Sequence, residues 1–274
     1  MPTQHFPNQI AIPAFKQLVL YTGNVMLTTT TANKYWNCKS NTELVQAIYD
    51  TLKVSLHGLE APSYRYFKET ELLEVPDIRL SSRIHPDDRN DVEVTAKLFY
   101  LGQDNQTAYI DRAIYHIQKL LDVESIDTFI ISFDKNDINS EIVKKTWKDL
   151  ENYHEKGIIS RLGVSDFDFQ TLSDFIQKED IRVKPSIDQV HVNQCSSLPQ
   201  NLIHFAKQHH IDITFNGDTT EILTSEVLST VLNQYGVINE NTQVKPRWVL
   251  KYNVFFKSRS VVADKGYIIV GDTL

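Results

Sequence analysis

From residue 92 onward, short apolar segments alternate with segments whose apolar residues recur at helical spacing. The first pair is Val92–Leu101, rich in β-branched and aromatic residues, followed by a stripe of Ile114, Ile117 and Leu121. Further strands are predicted near residues 126–133, 158–164, 185–192, 211–215 and 254–257. Helices are predicted between these strands, and the last helix includes residues 248–252. Strands that alternate with helices form repeated βα units and a parallel sheet.

Two arrangements accommodate at least six such strands in 274 residues. One is a closed eight-stranded (β/α) barrel, and the other is an open doubly wound sheet. The open dinucleotide-binding sheet typically carries a G-x-G-x-x-G fingerprint. This chain has only nine glycines and lacks that fingerprint. The sequence therefore favours an α/β fold of the (β/α)8 TIM-barrel type.

The first 90 residues are the least regular part of the chain. Lys16–Tyr21 is predicted as a short strand, and Ser40 with Glu43 forms a capping-box pattern before a helical stripe that ends near Gly58. Residues 59–91 are rich in proline and charge, and no strong element is predicted there. We expect one barrel domain over residues 1–274, with an irregular N-terminal part of about 1–90.

Charge and hydropathy exclude several classes of function. The net charge is −7 and the pI about 5.7, so no nucleic-acid partner is expected. No apolar run approaches the roughly 18 residues of a membrane span, and the N-terminus lacks a signal-peptide pattern. Two cysteines, Cys38 and Cys195, do not make a disulfide framework. The expected location is the cytoplasm, with no membrane association.

Several segments resemble the aldo-keto reductase barrel, in the order in which that family has them. They are Gly163-Val164-Ser165-Asp166-Phe167, Lys184–Val190, Phe205–Ile211 and the Lys257-Ser258 pair. The family reduces carbonyls with an Asp, a Tyr, a Lys and a His, of which the tyrosine donates the proton. The resemblance implies the (β/α)8 fold and places Lys97 at the lysine position.

The other three positions of that tetrad do not match. The histidine position falls on Ser132, and no D-x-x-x-x-Y run lies upstream of Lys97, where Tyr64, Tyr66 and Asp77 stand in the wrong order. We therefore predict no catalytic residue, with Lys97 as a remnant. A lysine paired with a nearby carboxylate is the alternative interpretation of Lys97.

A barrel of this type with an incomplete tetrad resembles the regulatory, or modifier, subunits of glutamate–cysteine ligase. The matching runs include Leu20–Asn24, Gly163–Asp168, Trp248–Tyr252 and Lys265–Ile269. The resemblance implies a noncatalytic chain that forms a heterodimer with the ligase catalytic subunit in glutathione synthesis. It also implies better use of glutamate by that subunit and weaker feedback inhibition by glutathione. The outer helices and residues 59–91 are the expected partner surfaces.

The reductase resemblance also implies where a dinucleotide would bind. Ser165 and Gln189 match positions that contact nicotinamide, and Lys257, Ser258 and Arg259 match the loop that holds the 2′-phosphate of NADPH. The other interpretation is that these are barrel-core hydrogen bonders and a solvated loop. No cofactor is required under the regulatory prediction. The alternatives are an NADPH-dependent reductase that uses Tyr64 or Tyr66, and an NADPH-sensing pseudoenzyme.

Cysteine and histidine residues offer two further candidate sites. Cys195 follows the sixth predicted strand and is a candidate for redox coupling to the partner, although a reduced structural cysteine is the commoner case. His204, His209 and His210 lie close together in sequence, but no cysteine or further ligand lies nearby, so no metal site is predicted.

Overall fold

A computed structural model describes residues 10–28, 40–58, 61–79, 81–101, 108–133, 141–191, 199–219, 221–258 and 261–274. The strands are β1 (Gln17–Tyr21), β2 (Arg65–Phe67), β3 (Leu72–Pro76), β4 (Val92–Tyr100), β5 (Ile126–Ser132), β6 (Ile159–Ser165), β7 (Ile187–His191), β8 (Asp212–Asn216), β9 (Val244–Phe256) and β10 (Val261–Thr273). The helices are α1 (Val25–Thr28), α2 (Ser40–His57), α3 (Ala108–Leu121), α4 (Glu141–Glu155), α5 (Phe169–Ile176), α6 (Gln200–Gln208) and α7 (Ser225–Gln234).

The chain divides into two compact units. Unit 1 comprises Met1–Ser82, Glu221–Val249 and Asp264–Leu274, and unit 2 comprises Arg83–Thr220 and Leu250–Ala263. The single-domain prediction for residues 1–274 stays a prediction. Within the described part of the chain, no helix is both long and apolar enough to cross a membrane.

Unit 1 is built on strands in the order β2-β3-β1-β10-β9. β1 pairs parallel to β3 and antiparallel to β10, with Val19 opposite both Glu74 and Val270. Helix α2 packs on β3, and its stripe of Leu44, Ile48 and Leu52 is fully buried, as the helical spacing predicts.

Unit 2 contains the βα units that the sequence predicts. Within it the strand order is β9-β4-β5-β6-β7-β8, and each neighbouring pair from β4 to β8 is parallel. Helix α4 buries Val143, Trp147 and Leu150 on one face. Gly157 follows its end at φ 72°, a left-handed conformation that glycine adopts without a steric penalty.

Two predictions of local structure are wrong. Trp248–Tyr252 lies in strand β9 rather than in a helix, and Trp248, Val249, Leu250 and Tyr252 are all buried. A short run of consecutive buried apolar residues carries neither helical nor strand periodicity, so its pattern does not separate the two. Residues 59–91 also contain β2, β3 and a 3₁₀ helix at Pro86–Asp91, because β3 pairs along β1 and buries Leu73 and Val75.

Glu43, the acidic residue of the predicted capping box, contacts strand β10, and its predicted capping role stays a prediction. Its carboxylate accepts a hydrogen bond of 2.5 Å from the Tyr267 hydroxyl and one of 2.8 Å from Lys265 Nζ. Helix α2 includes Ser40 as its first residue, and the Ser40 side chain lies outside the described part of the structure.

Candidate functional site

Polar side chains gather at the carboxyl ends of the parallel strands of unit 2. Ser132 ends β5, Ser165 ends β6, His191 ends β7 and Asn216 ends β8, and the register places Lys97 of β4 beside Ile130 of β5. Strand ends on this edge carry the ligand sites of parallel α/β folds. We call four charged residues that act on one another at this edge, Lys97, Asp166, Asp218 and Lys251, the carboxyl-edge cluster.

Lys97 is buried and paired with a carboxylate. Its side chain is 4% exposed, and its Nζ lies 3.4 Å from Oδ2 of Asp218 and 4.9 Å from the centre of the Phe99 ring. Burial lowers the pKa of Lys97 from its ordinary value, while the negative charges of Asp218 and Asp166 act in the opposite direction. The alternative interpretation of Lys97, a lysine paired with a nearby carboxylate, describes this arrangement.

Asp218 bridges two lysines. Its Oδ1 accepts a hydrogen bond of 2.6 Å from Lys251 Nζ, a bond shorter than the one its Oδ2 makes with Lys97. Its main-chain N–H donates to Oδ1 of Asn216 at 2.9 Å, which fixes the turn after β8. The Asp218 side chain is 3% exposed, so both ion pairs are largely removed from water.

Asp166 follows β6 in a left-handed conformation, with φ 61°. Asp and Asn tolerate this region better than most residues because their short side chains form local hydrogen bonds. Oδ1 of Asp166 accepts the His191 N–H at 2.6 Å, and its own N–H donates to Gln189 O at 3.1 Å. The Ser165 hydroxyl lies 2.9 Å from the same Gln189 oxygen and 3.0 Å from Oδ2 of Asp166. The ends of β6 and β7 are therefore tied together at this point.

Asp188, on β7, is completely buried, and neither carboxylate oxygen has a hydrogen-bond partner of normal geometry. Its pKa is raised to about 8, mainly by burial and also by the charges of Asp166 and Asp168, while the Phe167 N–H and Lys97 act in the opposite direction. A carboxyl group in this environment is protonated at neutral pH, which avoids the large cost of an unpaired buried charge.

The Asp188→Asn variant is expected to lose a pH dependence of stability that the natural chain has. Between the ordinary pKa of 3.8 and the folded value of about 8, the folded chain keeps a proton that the unfolded chain releases. Stability then falls as pH rises, by up to about 1.4 kcal/mol per pH unit. From pH ~6.5 to ~8 we expect a loss of about 1–2 kcal/mol in the natural chain and none from this source in Asp188→Asn.

Urea unfolding at the two pH values measures this difference. The window starts near pH 6.5 because buried His116 acts in the opposite sense below it. Its pKa is lowered to about 3 by burial, so the unfolded chain takes up the extra proton between pH 3 and 6.5 and stability rises with pH there. Equal slopes in the natural chain and the variant would show that Asp188 is ionised when folded.

A cavity of about 670 Å³ opens beside the cluster in unit 2. Asp166, Asp168 and Asp218 contribute carboxylates to its lining, together with His191, Asn201 and Phe169. Asp168 caps α5 by accepting the Thr171 N–H, which holds the pKa of this carboxyl below its usual range. The lining therefore carries predominantly negative charge.

The structure brings some of the predicted nucleotide-binding residues together and separates others. Ser165 and Gln189 are register partners on β6 and β7. Lys257 is exposed at the end of β9, where its Nζ donates to Asn90 O at 3.0 Å, and Ser258 follows it on the surface. Arg259, Cys38 and Cys195 lie outside the described residues.

The tyrosines considered as replacement proton donors belong to unit 1. The Tyr64 hydroxyl donates to Ala11 O at 3.4 Å, and the Tyr66 hydroxyl donates to Ala14 O at 2.8 Å. Asp77 pairs with Arg79 through bonds of 2.5–3.1 Å. In the described residues each of these groups is therefore engaged in a contact within its own unit.

Sequence reasoning missed Asp188, Asp218 and Lys251. Asp188 had only a weak signal, an acidic residue directly after Ile187 in a short predicted strand that also holds Gln189 and His191. The sequence carried no signal for Asp218 or Lys251, because aspartate in a predicted turn and a single lysine are ordinary at a protein surface.

Comparison with known proteins identifies relatives over most of the chain. The Aldo/keto reductase family matches residues 61–266. The glutamate–cysteine ligase regulatory subunit of Rattus norvegicus is 29% identical over 231 residues, which cover 83% of this chain and 82% of the relative. A putative regulatory subunit of the same ligase from Schizosaccharomyces pombe is 27% identical over 285 residues, covering 93% and 96%.

Among solved structures, an aldo/keto reductase from Brucella melitensis matches 46% of each chain at 22% identity, with a TM-score of 0.38. The relatives confirm the resemblance to the ligase regulatory subunits. The family match confirms the predicted α/β fold class of the (β/α)8-barrel type. Because that match spans well over half of the sequence, the chain belongs to the aldo/keto reductase family.

Proposed function

We propose that this protein is a noncatalytic regulatory subunit that binds the catalytic subunit of glutamate–cysteine ligase. The observation that carries the proposal is similarity over nearly the full length of both chains, 93% and 96%, to a putative regulatory subunit of that ligase. Relatives from rat and human carry the same regulatory name at 29% identity.

The surroundings of Lys97 support a noncatalytic role. Carbonyl reduction in this family needs a phenolic proton donor beside the lysine. Among the described residues, the ammonium of Lys97 contacts Asp218 and the ring of Phe99, which has no hydroxyl. Ser132, at the histidine position, has its hydroxyl buried without a hydrogen-bond partner, and a serine does not provide the imidazole that orients a substrate.

Regulation by binding requires a preference between two states of the partner. A subunit that binds both conformations of the catalytic chain equally well shifts nothing, however tight the complex is. Improved use of glutamate and weaker inhibition by glutathione therefore mean that this chain binds the glutamate-competent conformation more tightly. A tenfold change in apparent affinity for glutamate corresponds to about 1.4 kcal/mol of this preference.

Reconstitution with the purified catalytic subunit tests the proposal. We expect a complex on gel filtration, a several-fold lower KM for glutamate and a higher glutathione concentration for half inhibition. An active aldo/keto reductase of the same fold is the matched control and should leave both constants unchanged. Failure to form a complex, together with an unchanged KM, would refute the regulatory role.

The reductase alternative is distinguished by its own activity. Steady consumption of NADPH with carbonyl substrates by the pure chain, abolished in Lys97→Met, would establish it. The regulatory proposal expects no carbonyl-dependent consumption from either protein.

Dinucleotide sensing stays a second prediction, and the described residues fit a dinucleotide poorly. The Ser165 hydroxyl is 1% exposed and bonded within the fold, and the amine of Lys257 is engaged by a main-chain oxygen. The cavity presents the carboxylates of Asp166 and Asp168, which repel pyrophosphate, whereas the Asp218 carboxylate is paired with two lysines. Titration of the intrinsic tryptophan fluorescence with NADPH decides the matter, and saturable quenching would establish binding.

A further inference from the structure

Strand β8 forms one edge of the sheet of unit 2. Of the strands that the structure describes, β7 alone pairs with it, and the next strand in the chain, β9, lies between β10 and β4. The Asp212 N–H donates to Ser186 O at 2.9 Å, so the main-chain groups of Asp212 and Thr214 point towards β7. Because successive residues of a strand alternate, those of Ile213 and Phe215 point away from β7, along the open edge.

The open edge of β8 is exposed and carries none of the features that keep strand edges apart. Phe215 is 45% exposed, and Thr214 is exposed as well. Natural edge strands discourage pairing with lysine, proline, a bulge or an unpaired charge. Residues 212–216 contain no lysine or proline, their register with β7 has no bulge, and the carboxylate of Asp212 is paired with Arg161. Such an edge is a template for a further strand.

The sequence of β8 is complementary to itself when two copies run antiparallel with Thr214 opposite Thr214, the register that pairs all five residues of the strand. The outward main-chain groups of Ile213 then lie opposite those of Phe215 in the other copy, so each N–H meets a carbonyl. The same two side chains form an aromatic pair with a β-branched residue, which is favourable across strands. Asp212 lies opposite Asn216, so no like charges meet.

We propose that the free chain forms a symmetric dimer through the β8 edge, so that the sheet of unit 2 continues from β8 of one copy into β8 of the other. The two-fold axis passes beside Thr214, perpendicular to the sheet, and the interface is therefore the same surface on both copies. This inference goes beyond the proposed regulatory function, since the catalytic subunit either binds another surface or displaces the second copy. An edge of five residues buries little area, so the dimer dissociates on dilution.

Sedimentation velocity of the natural chain over a range of concentrations tests for the dimer. We expect the mean mass to rise from 31.6 kDa towards twice that value as the concentration increases from about 1 µM to about 1 mM. A natural chain that sediments at 31.6 kDa at every concentration would overturn the proposal.

Variants of Phe215 separate main-chain pairing from a contact of the ring alone. Phe215→Pro removes an N–H that points along the open edge, and edge strands tolerate proline there, so the variant should fold. It should lower the association constant about tenfold or more, because each copy loses a main-chain hydrogen bond. Phe215→Ala keeps the N–H and should weaken the dimer less. Phe256→Ala, which removes a ring that is 43% exposed on β9, is the matched control and should leave the constant unchanged.

A disulfide between two copies tests the register. Opposite residues of a non-hydrogen-bonded antiparallel pair have Cα atoms about 4.5 Å apart, a distance that a disulfide spans. In a chain whose Cys38 and Cys195 are replaced by serine, Thr214→Cys should give a covalent dimer under mild oxidation. Asp212→Cys should not, because its two copies lie at opposite ends of the paired strands. Equal cross-linking of the two variants would contradict the register and the proposal with it.

The catalytic subunit of the ligase is the other occupant that the experiment distinguishes. A natural chain that stays monomeric, and whose complex with that subunit is lost in Phe215→Pro, would assign the edge to the catalytic subunit and overturn self-association. A natural chain that dimerises but forms no such complex would support the dimer while refuting the regulatory function.

Discussion

Replacing Asp218 with alanine is expected to reduce the free energy of unfolding by about 3–5 kcal/mol. The variant removes the carboxylate from two lysines whose side chains are only 4% and 12% exposed, Lys97 and Lys251. Taking away one partner of a buried ion pair leaves the other charge without compensation in a medium of low dielectric constant. Urea unfolding at neutral pH measures the loss.

A surface ion pair in the same unit is the matched control. Asp212 on β8 pairs with Arg161 at 2.5 Å, but the two side chains are 67% and 40% exposed. Asp212→Ala should therefore cost less than about 1 kcal/mol. Adding Lys97→Met to Asp218→Ala should recover part of the stability, because it removes an uncompensated charge. Equal losses for Asp218→Ala and Asp212→Ala would show that the Asp218 pairs are solvated.

The parallel strands of unit 2 were predictable because each is a short apolar run between helices with a clear stripe. β5 and β6, for example, lie within one or two residues of their predicted bounds. Local pattern fails where long-range pairing decides the structure. β3 contains Glu74, whose side chain is buried beside Arg65 of β2, and a proline at its end, and neither is typical of a strand.

The candidate site was predictable only in part. A motif identified Lys97, and its spacing placed Ser165 and Gln189 on neighbouring strands, where the register indeed pairs them. The partner of Lys97 is Asp218, which is 121 residues away in sequence and lies in a turn with no motif. Such a contact depends on the order of the strands in the sheet, and a single sequence does not encode that order locally.

The proposed regulatory role requires the reductase fold to serve without reductase chemistry, and the contacts of Lys97 are consistent with that. The Lys97 ammonium, at the lysine position of the family's tetrad, is engaged in a buried ion pair with Asp218. Because both side chains are buried, breaking this ion pair would leave an uncompensated charge and would cost free energy. Under the proposed regulatory role, the partner binds an outer surface of the fold and not this strand edge.

The second large effect concerns Glu151, a completely buried carboxylate on α4. Its Oε1 accepts the main-chain N–H groups of Arg182 at 2.7 Å and Val183 at 2.9 Å, and its Oε2 lies 3.3 Å from Arg182 Nε. Glu151→Ala removes three hydrogen bonds at once and is expected to cost about 3 kcal/mol or more. Trp147 Nε1 donates to Val183 O at 2.9 Å, so two residues of α4 bond to the main chain of residues 182–183.

Glu155 supplies the matched control, because it pairs with the same Arg182 at 2.6 Å while 48% exposed. Glu155→Ala should cost less than about 1 kcal/mol. Glu151→Gln keeps an oxygen where both main-chain N–H groups donate, so its loss should lie between those of the two alanine variants. A Glu151→Ala chain as stable as Glu155→Ala would mean that water replaces the lost carboxylate.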